Sequence, residues 1–501
     1  MQGINPGKHL SGTREQTMNL PELGVGLTFF QGLEPVLESE QALIDVIEVE
    51  PQSLWRRDHG GQTVIVDEPS LHLLRGRALP KLVHSVGLPV GGTEPPKSTD
   101  VQLLRHVARE LNTPWVSEHL SFNTFHDENG TWHTGFLLPP RQTLAGMDHA
   151  IRSVRSLLSE MPVPVAIETG VNYLQPRANE IPDGEFVARV AEGADCGILL
   201  DLHNIWTNHR NGRQSVGEYI DHLPLERVWQ IHLAGGSSHR GYWIDAHSGA
   251  VPAELLQLAT RIVPRLPNLK AIVFELFPAY LSTVGYALFR PQLEALHRLW
   301  DRRGINAKNM PRVTTEVKSD NPAPDPQAWE ETLGSLTVHK PCTNPLAEEL
   351  RNDAGLSIIR EMVEQLRGSM IVRTLRLSSR LIMLERGTGY LEELLSIFWR
   401  NHPPNPFPLD EAEAFAGFLR ERKPYVPFLD EVLEYDRAVI DVALKGGERL
   451  IAFRADPLPL LRALGSGRRP AAVAIGNFQI RLTPDEIAAD ARTLGRMQVI
   501  H

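Results

Sequence analysis

Val163–Asn204 reads VPVAIETGVNYLQPRANEIPDGEFVARVAEGADCGILLDLHN. The segment opens on an apolar, β-branched run, Val163–Thr169, that closes on Glu168. A helical stretch follows, and then a second run, Cys196–His203, ends at Asp201, His203 and Asn204. Strand, helix and strand in that order predict a parallel βαβ unit. The same unit recurs in both directions, with runs at Gly24–Phe30, Leu43–Pro51, Leu82–Leu88 and Trp115–Phe122 before it, and Arg227–Leu233 and Ala271–Phe277 after it. Eight runs in roughly 280 residues predict an α/β protein whose residues 21–306 form a (β/α)₈ TIM barrel. An open doubly wound sheet is the alternative topology.

The 501 residues are 42% apolar and 22% charged, ordinary for a soluble globular chain and enough to bury a large core without covalent staples. The two cysteines, Cys196 and Cys342, offer neither a disulfide framework nor a cysteine-based zinc site. Any metal site must therefore draw on His, Asp, Glu and Asn, and a reducing compartment is expected. A net charge of −10 argues against nucleic-acid binding, which rests on cationic contacts to phosphate. No apolar run approaches the roughly 18–20 residues that span a bilayer. Residues 1–20 are polar, without an apolar signal core, and read as a flexible tail of a cytoplasmic protein. Residues 307–339 carry four prolines between Ala307 and Trp329 and read as an exposed linker. A second, α-rich domain is expected over 340–501, with helical patterns at Ala347–Leu366, Ser369–Leu384, Tyr390–Arg400, Asp410–Arg420 and Pro427–Ala443, and strand-like runs at Glu448–Arg454 and Ala471–Leu482.

Chemistry gathers at one end of the expected strands. The second ends in Glu48 and Glu50, the third carries His84, the fourth Glu118 and His119, and the fifth Glu168. The sixth ends at Asp201, His203 and Asn204, the seventh at His232, the eighth at Glu275, and WIDAHSGAV between the last two brings Asp245 and His247. A charged residue inside an apolar strand is costly unless paired or bound to an ion. Arg and Lys are absent from these ends, so cations are the simplest neutralisers of the converging carboxylates. Each residue alone has a plainer reading: His84 or His232 as a core histidine, Glu168 or Glu275 as half of an ion pair, Asp201 and Asn204 as a helix cap. The recurrence at one end of successive strands, the end where barrel enzymes collect catalytic groups, favours a shared metal site. His126, His133, His209 and His239 read as loop residues, and Gly91–Gly92 and Gly235–Gly236 as turn glycines rather than phosphate loops.

These motifs resemble a known family. GVGL at the first strand, VHSVGL around His84, SEHLSF around His119, LLDLHNIW around Asp201, IHLAG around His232 and IDAHSGAVP around Asp245 are similar, in order, to the multinuclear non-haem iron-dependent oxidases that modify ribosomally made peptides, often at cysteine. The barrel also resembles the wider xylose-isomerase-like and endonuclease-IV-like superfamily. The resemblance implies metal ligation by His84, His119, Glu168, Asp201, Asn204, His232, Asp245, His247 and Glu275, with Asp245, His247 and His232 also in catalytic roles. It implies two or three iron ions, Fe(II)/Fe(III), with O₂ as co-substrate and zinc or manganese as alternatives. Asn204 stands where the zinc endonucleases have His and the oxidases have Asn, which favours iron. The chain departs from the oxidase pattern in four places: Glu50–Pro51–Gln52–Ser53 replaces His–Pro–Glu–Asn, Glu168–Thr169–Gly170 replaces Glu–Asn–Pro, His203 replaces Asn, and Ser248 replaces Asp.

Residues 391–444, with His402–Pro403–Pro404–Asn405–Pro406, resemble the separate partner proteins of these oxidases, which implies a fused module that captures the precursor peptide. The competing functions on the same barrel are a zinc phosphodiesterase or endonuclease, disfavoured by Asn204 and the acidic balance, and a sugar isomerase or epimerase, for which no strand-end lysine base is present. A non-catalytic peptide-binding scaffold is the third.

Overall fold

In the computed structural model, residues 20–58, 63–306, 312–314, 325–470, 473–485 and 499–500 are described; the expected tail, apart from Leu20, lies outside them. Eight parallel strands close into a barrel: β1 Gly24–Thr28, β2 Val46–Val49, β3 Lys81–Ser85, β4 Val116–His119, β5 Val165–Glu168, β6 Gly197–Asp201, β7 Val228–Ala234 and β8 Ala271–Glu275. Each strand pairs with its sequence neighbours, and β1 pairs with β8. The α/β barrel expected from the repeating units is thus the fold, and the open-sheet alternative falls. The strands are shorter than the apolar runs that announced them, because the last residues of each run leave the ladder to enter the loops above.

Side chains in a strand alternate between its faces, so a barrel interior is built from every second residue. The apolar interior below the strand ends contains Val46, Leu82, Trp115, Ala166, Trp229, Ala271 and Val273, all buried, with the two indoles packed edge to face at 6.5 Å. Two residues further along β2, β3, β5 and β8 come Glu48, His84, Glu168 and Glu275. An apolar plug therefore closes one end of the barrel, and the layer above it is ionisable. Register holds that layer level: Thr28 is opposite Glu48, His119 opposite Glu168, Asp201 opposite His232, and Ala234 opposite Glu275. Gly26 permits close strand packing here, since a Cβ would meet the Val46 carbonyl and side chain.

Long excursions follow several strands. The segment with His126 and His133 is a hairpin, Phe122–Asp127 with Gly130–Leu138, rather than a loop. The expected linker also contains ordered structure: Pro326–Thr337 is a helix with Trp329, Leu333 and Leu336 buried. Proline at its first turn starts this helix instead of breaking it, which is why prolines in the sequence misled about its end. Its Trp329 indole donates to the Pro139 carbonyl at 3.0 Å, and Arg141 and Arg177 stack over the ring. Beyond it, helices Pro345–Arg351, Ala354–Thr374, Arg376–Arg386, Thr388–Asn401, Pro408–Arg422, Leu429–Lys445 and Pro457–Gly465 accompany an antiparallel sheet of Arg449–Ala455, Ile475–Leu482 and Val499–Ile500.

This helical region rests on the strand-end rim of the barrel. Arg57 after β2 binds Asp410 at 2.8 Å, Gly135 in the hairpin after β4 meets Pro404, Arg177 after β5 binds Glu349 and Asp353, and His239 after β7 binds Glu361. The His402–Pro406 turn is held by a buried ion pair: Arg367 donates to Glu411 at 2.6 Å and to the His402 and Pro403 carbonyls, while Glu411 accepts from the Asn405 N–H.

The helix Pro326–Thr337 carries a pH-sensitive clasp. Glu330 accepts from Thr93 N–H at 2.7 Å and Thr93 Oγ at 2.5 Å. Burial, only partly offset by those bonds, pushes its carboxyl from 4.5 up to about 7. The native state then binds the extra proton between those values, so stability falls as pH rises through about 4.5 to 7. Relative to wild type, Glu330→Gln is expected to lose this slope, on the order of 1–3 kcal/mol between pH 5 and pH 8 in denaturant titrations. Parallel pH profiles for the two proteins would remove Glu330 as the cause.

Candidate metal centre

All nine residues marked from sequence as ligands lie at the strand-end mouth, and they are drawn into one connected cluster. Glu168 stands at its centre. Its Oε2 is 2.8 Å from His119 Nε2 and 3.1 Å from His84 Nε2, and its Oε1 is 3.9 Å from His232 Nδ1. Glu275 is the second hub, with Oε2 3.2 Å from His232 Nδ1 and 3.7 Å from His247 Nε2. Asp245 Oδ1 lies 2.9 Å from His247 Nε2. Potential ligand atoms of Asp201, His247 and Glu275 fall within 4.8 Å of one another, as do those of His84, Glu168 and His232.

The supporting hydrogen bonds decide which atoms face the centre. His119 Nδ1 donates to the Ser85 carbonyl at 3.3 Å, which leaves its Nε2 lone pair toward Glu168. His232 Nε2 is 3.0 Å from Glu48, a carboxylate that can only accept while ionised, which leaves Nδ1 toward Glu275 and Glu168. His84 Nδ1 is 2.9 Å from Ser117 Oγ, and its Nε2 faces Glu168. Asp201 caps the helix Leu202–Arg210 by accepting from Asn204 N–H at 2.9 Å, as its plainer reading had it, while its Oδ2 stays buried without a hydrogen-bond partner. Asn204 Nδ2 donates to the Thr169 carbonyl at 3.0 Å, which turns its Oδ1 the other way. Asp245 and His247 do not meet through an extended strand. They follow the short strand Tyr242–Ile244, and His247 takes a positive φ of 43° that folds its ring back toward Asp245, where Phe277 stacks on it at 4.4 Å.

Glu168 Oε2, Asp201 Oδ2, Asn204 Oδ1, His232 Nδ1 and His247 Nε2 are all buried and have no aligned hydrogen-bond partner. Buried polar atoms are ordinarily satisfied, and a concentration of orphans in one place marks a missing partner. The partner has to accept lone pairs from both imidazoles and carboxylates. A proton or an ammonium group serves one or two such atoms, whereas a metal ion serves four to six. The donor set therefore fits metal ions.

Electrostatics point the same way. Burial opposes charge on His84, His119 and His232, yet neighbouring carboxylates overcome it and raise all three: Glu168 for the first two, Glu275 and Glu48 for the third. His247 rises to about 10 against burial, through Asp245 and Glu275. Glu275 falls to about 2 despite burial, through His232 and His247, and Glu168 falls well below the carboxylate range through His119 and His84. Asp201 goes the other way: burial, then Glu275, Glu168 and Asp245, push it far up. Without a cation the cluster holds protons in its place, and an ion binding there would release them. Glu50, half-buried, is raised by burial and feels His84, Glu275, Glu48 and His247, so this departure from the oxidase pattern faces the same cluster.

Several participants carried no ligand assignment from sequence. Glu48 orients His232 and accepts from Gln230, which in turn accepts from the Trp115 indole at 3.0 Å. Glu118 accepts from Ser85 and from the Leu88 and His119 N–H groups, bracing the third and fourth strand ends. The interior alternation of β2 was the available signal for Glu48. His209 and His239 stand outside the cluster; His239 is exposed and pairs with Glu361. Gly235 and Gly236 are close-packing glycines, since Cβ atoms there would strike the Gly249 carbonyl and the Ile244 carbonyl, each at 2.5 Å.

A parallel barrel with a buried imidazole–carboxylate cluster at its strand-end mouth carries the donor set of a candidate metal centre. Residues 22–276 match the family described as the RiPP precursor modification enzyme MbnB/TglH/ChrH, and the chain belongs to that family. Relatives include a UPF0276 protein of Anaeromyxobacter sp. (32% identical over 197 residues, 39% of this chain and 68% of the relative) and one of Chromobacterium violaceum (29% over 242 residues, 48% and 86%). A UPF0276 protein of Streptomyces avermitilis is 28% identical over 258 residues, and the match spans about half of each chain, 51% and 51%. Among solved structures, endonuclease IV of Thermus thermophilus aligns at TM-score 0.36 and 14% identity over 56% of this chain and 99% of that one. D-psicose 3-epimerase of Clostridium cellulolyticum H10 aligns at 0.33 and 13% over 57% and 96%. Likeness at this level says nothing of chemistry.

Asp201→Asn keeps the cap to Asn204 and removes the cost of holding a carboxyl protonated among Glu275, Glu168 and Asp245 when no cation is bound. Chelator-treated D201N is expected to melt above chelator-treated wild type by roughly 2–4 °C near neutral pH, and to gain less from added divalent metal. A lower melting temperature for metal-free D201N would show that the carboxylates do not repel one another there.

Proposed function

We propose that the chain is a multinuclear iron, O₂-dependent oxidase that modifies a ribosomally made precursor peptide at cysteine. The observation that carries this reading is the orphaned set of Glu168, Asp201, Asn204, His232 and His247 atoms between two carboxylate hubs, in a chain of a peptide-modifying family. His84, His119 and Glu168 would hold one ion, and Asp201, Asp245, His247 and Glu275 another, with His232 and Asn204 between them. Mixed imidazole and carboxylate ligands suit iron, which when bound supplies redox chemistry with O₂ and acidifies a coordinated thiol.

The protein residues have separable tasks. Glu48, Ser117 and the Ser85 carbonyl set the histidine orientations, so the centre is assembled before substrate arrives. Burial of Glu168, Asp201 and His232 keeps bulk water from the deep side. Phe277, 42% exposed and stacked on His247, forms an apolar shelf where a peptide side chain would meet the mouth. The helical region on the barrel rim would hold the rest of the precursor, consistent with its likeness to the oxidase partner proteins. Among the described residues no helix is long and apolar enough to cross a membrane.

Metal analysis of protein purified under argon is expected to find iron in excess of zinc, with two or three equivalents. His84→Ala and Asp245→Ala should each lower bound iron by about one equivalent, and oxygen uptake should require a precursor peptide with its cysteine intact. Unchanged iron in both variants, or uptake indifferent to a Cys→Ser peptide, would refute the proposal.

A further inference from the structure

We infer that His203 is a positioning residue for Asp245 and not a metal ligand; the inference rests on the metal-centre reading above. Proximity alone leaves both roles open, because ligand atoms of His203, Asp245 and His247 lie within 4.8 Å of one another. Hydrogen bonding decides between them. Trp243 Nε1 donates to His203 Nε2 at 3.1 Å. An indole N–H is a donor only, so Nε2 must present its lone pair to it. The proton of the neutral ring then sits on Nδ1, 2.8 Å from Asp245 Oδ1, and is donated to that carboxylate. Both ring nitrogens are thereby occupied, and neither has a lone pair to give an ion.

The arrangement extends beyond one pair. His203, Trp206 and Arg210 lie along the helix Leu202–Arg210, the helix that Asp201 caps and that carries Asn204. Arg210 stacks over the rings of both Trp206 and Trp243 at 4.9 and 4.8 Å, and the two indoles meet edge to face at 5.2 Å. Asn211, just past the helix, brackets the backbone of Trp243: Oδ1 accepts from its N–H at 2.8 Å and Nδ2 donates to its carbonyl at 2.9 Å. Tyr173 OH accepts from the Asp245 N–H at 3.1 Å. The segment that delivers Asp245 and His247 is thus tied to this helix at its backbone, its indole and its carboxylate. Gly236 makes room for the tie, since a Cβ there would lie 2.5 Å from Trp243 Nε1 and 2.8 Å from His203 Nε2. The consequence is that the Asp245 carboxylate is aimed by the same helix that supplies Asp201 and Asn204, so these ligands move as one unit.

Removing such an outer partner costs about 10–100-fold in metal affinity without removing a ligand. Chelator-stripped wild type, His203→Gln, His203→Phe and Trp243→Phe are titrated with Fe²⁺ under argon against a chromophoric chelator. Expected are equal numbers of ions at saturation in all four, a roughly 10–100-fold weaker last ion in H203F, a smaller loss in W243F, and partial recovery in H203Q, whose amide retains one donor and one acceptor. Separately, ¹⁵N-histidine spectra of metal-free wild type, with H203Q to assign the signal, should show His203 protonated at Nδ1. Loss of a whole equivalent in H203F with W243F unchanged would make His203 a ligand and overturn the inference, as would unchanged affinity in H203F and W243F, or an Nε2–H tautomer. Wild type that binds no iron would instead overturn the metal-centre reading itself. Should H203F fail to fold, W243F, H203Q and the tautomer still decide.

Discussion

Two like charges 4 Å apart in a protein repel by about 4 kcal/mol even at an effective dielectric of 20. Glu48, Glu168, Asp201 and Glu275 are buried together above a plug of Trp115, Trp229 and aliphatic side chains, out of reach of water from below. Among the described residues none of the ion pairs of these carboxylates involves lysine or arginine; their partners are histidines. A histidine-only solution is unusual, because imidazole is a poor permanent cation and burial works against its charge. It would suit a site whose charge partner is exchangeable, protons giving way to metal ions as the proposed function requires. The rest of the molecule can be read as the means of holding that repulsive set in place.

The barrel accomplishes this through arithmetic. A period of two along each strand places an ionisable side chain two residues beyond an apolar one, and closed parallel pairing repeats the step at one height around the ring. That regularity is why the fold and the ligand candidates were legible in the sequence. One buried acid can be half of an ion pair, but successive apolar runs that each end in His, Asp or Glu require a shared centre, and His84, Glu168, Asp201, His232 and Glu275 fall where the pattern put them. What escaped the sequence follows from geometry outside the strands. His247 reaches the cluster through a left-handed backbone turn, which residue spacing does not encode. His203 and Asn204, one residue apart, turn to different tasks because a helix begins at Leu202, so a run read as strand to His203 could not separate them. Glu48 was visible at the end of its run, but its role depends on which nitrogen of His232 it meets across the barrel. Pro326 counted toward a linker because proline's meaning reverses at the first turn of a helix.

Placement of the C-terminal helices gives the site its second constraint. Their contacts reach the loops after β2, β4, β5 and β7, and the helix Pro326–Thr337 clips the loop after β3 through Glu330 and Thr93. The loops after β8 and β1 keep their own aromatic residues: Phe277 and Tyr286 are exposed, and Tyr286 OH donates to the Gly32 carbonyl, linking the two loops. A covered arc and an open arc of the mouth result. On the proposed function, a long flexible substrate held on the covered arc would have one side from which to enter, and that side ends at His247, beside Asp245.

The departures from the oxidase pattern are spread around the centre: Glu50 faces His84 as well as His247, Thr169 contacts Asp201 and Asn204, and His203 meets Asp245. Glu168, His119 and His84 form the deep corner, braced by Ser117, Ser85 and Glu118; the runs around His84 and His119 keep the family pattern there, while Thr169–Gly170 after Glu168 depart from it. Glu50 adds an acid where the pattern has an imidazole, and His203 adds an imidazole where it has an amide. An added carboxylate raises the negative charge facing an ion, whereas a donor to Asp245 withdraws some of it, so the two changes act in opposite directions on the electron density the protein offers. On the proposed metal-centre reading, a site altered in this way would keep its donor set while shifting how strongly each ion is held, so the two changes would show in affinity more than in the number of ions.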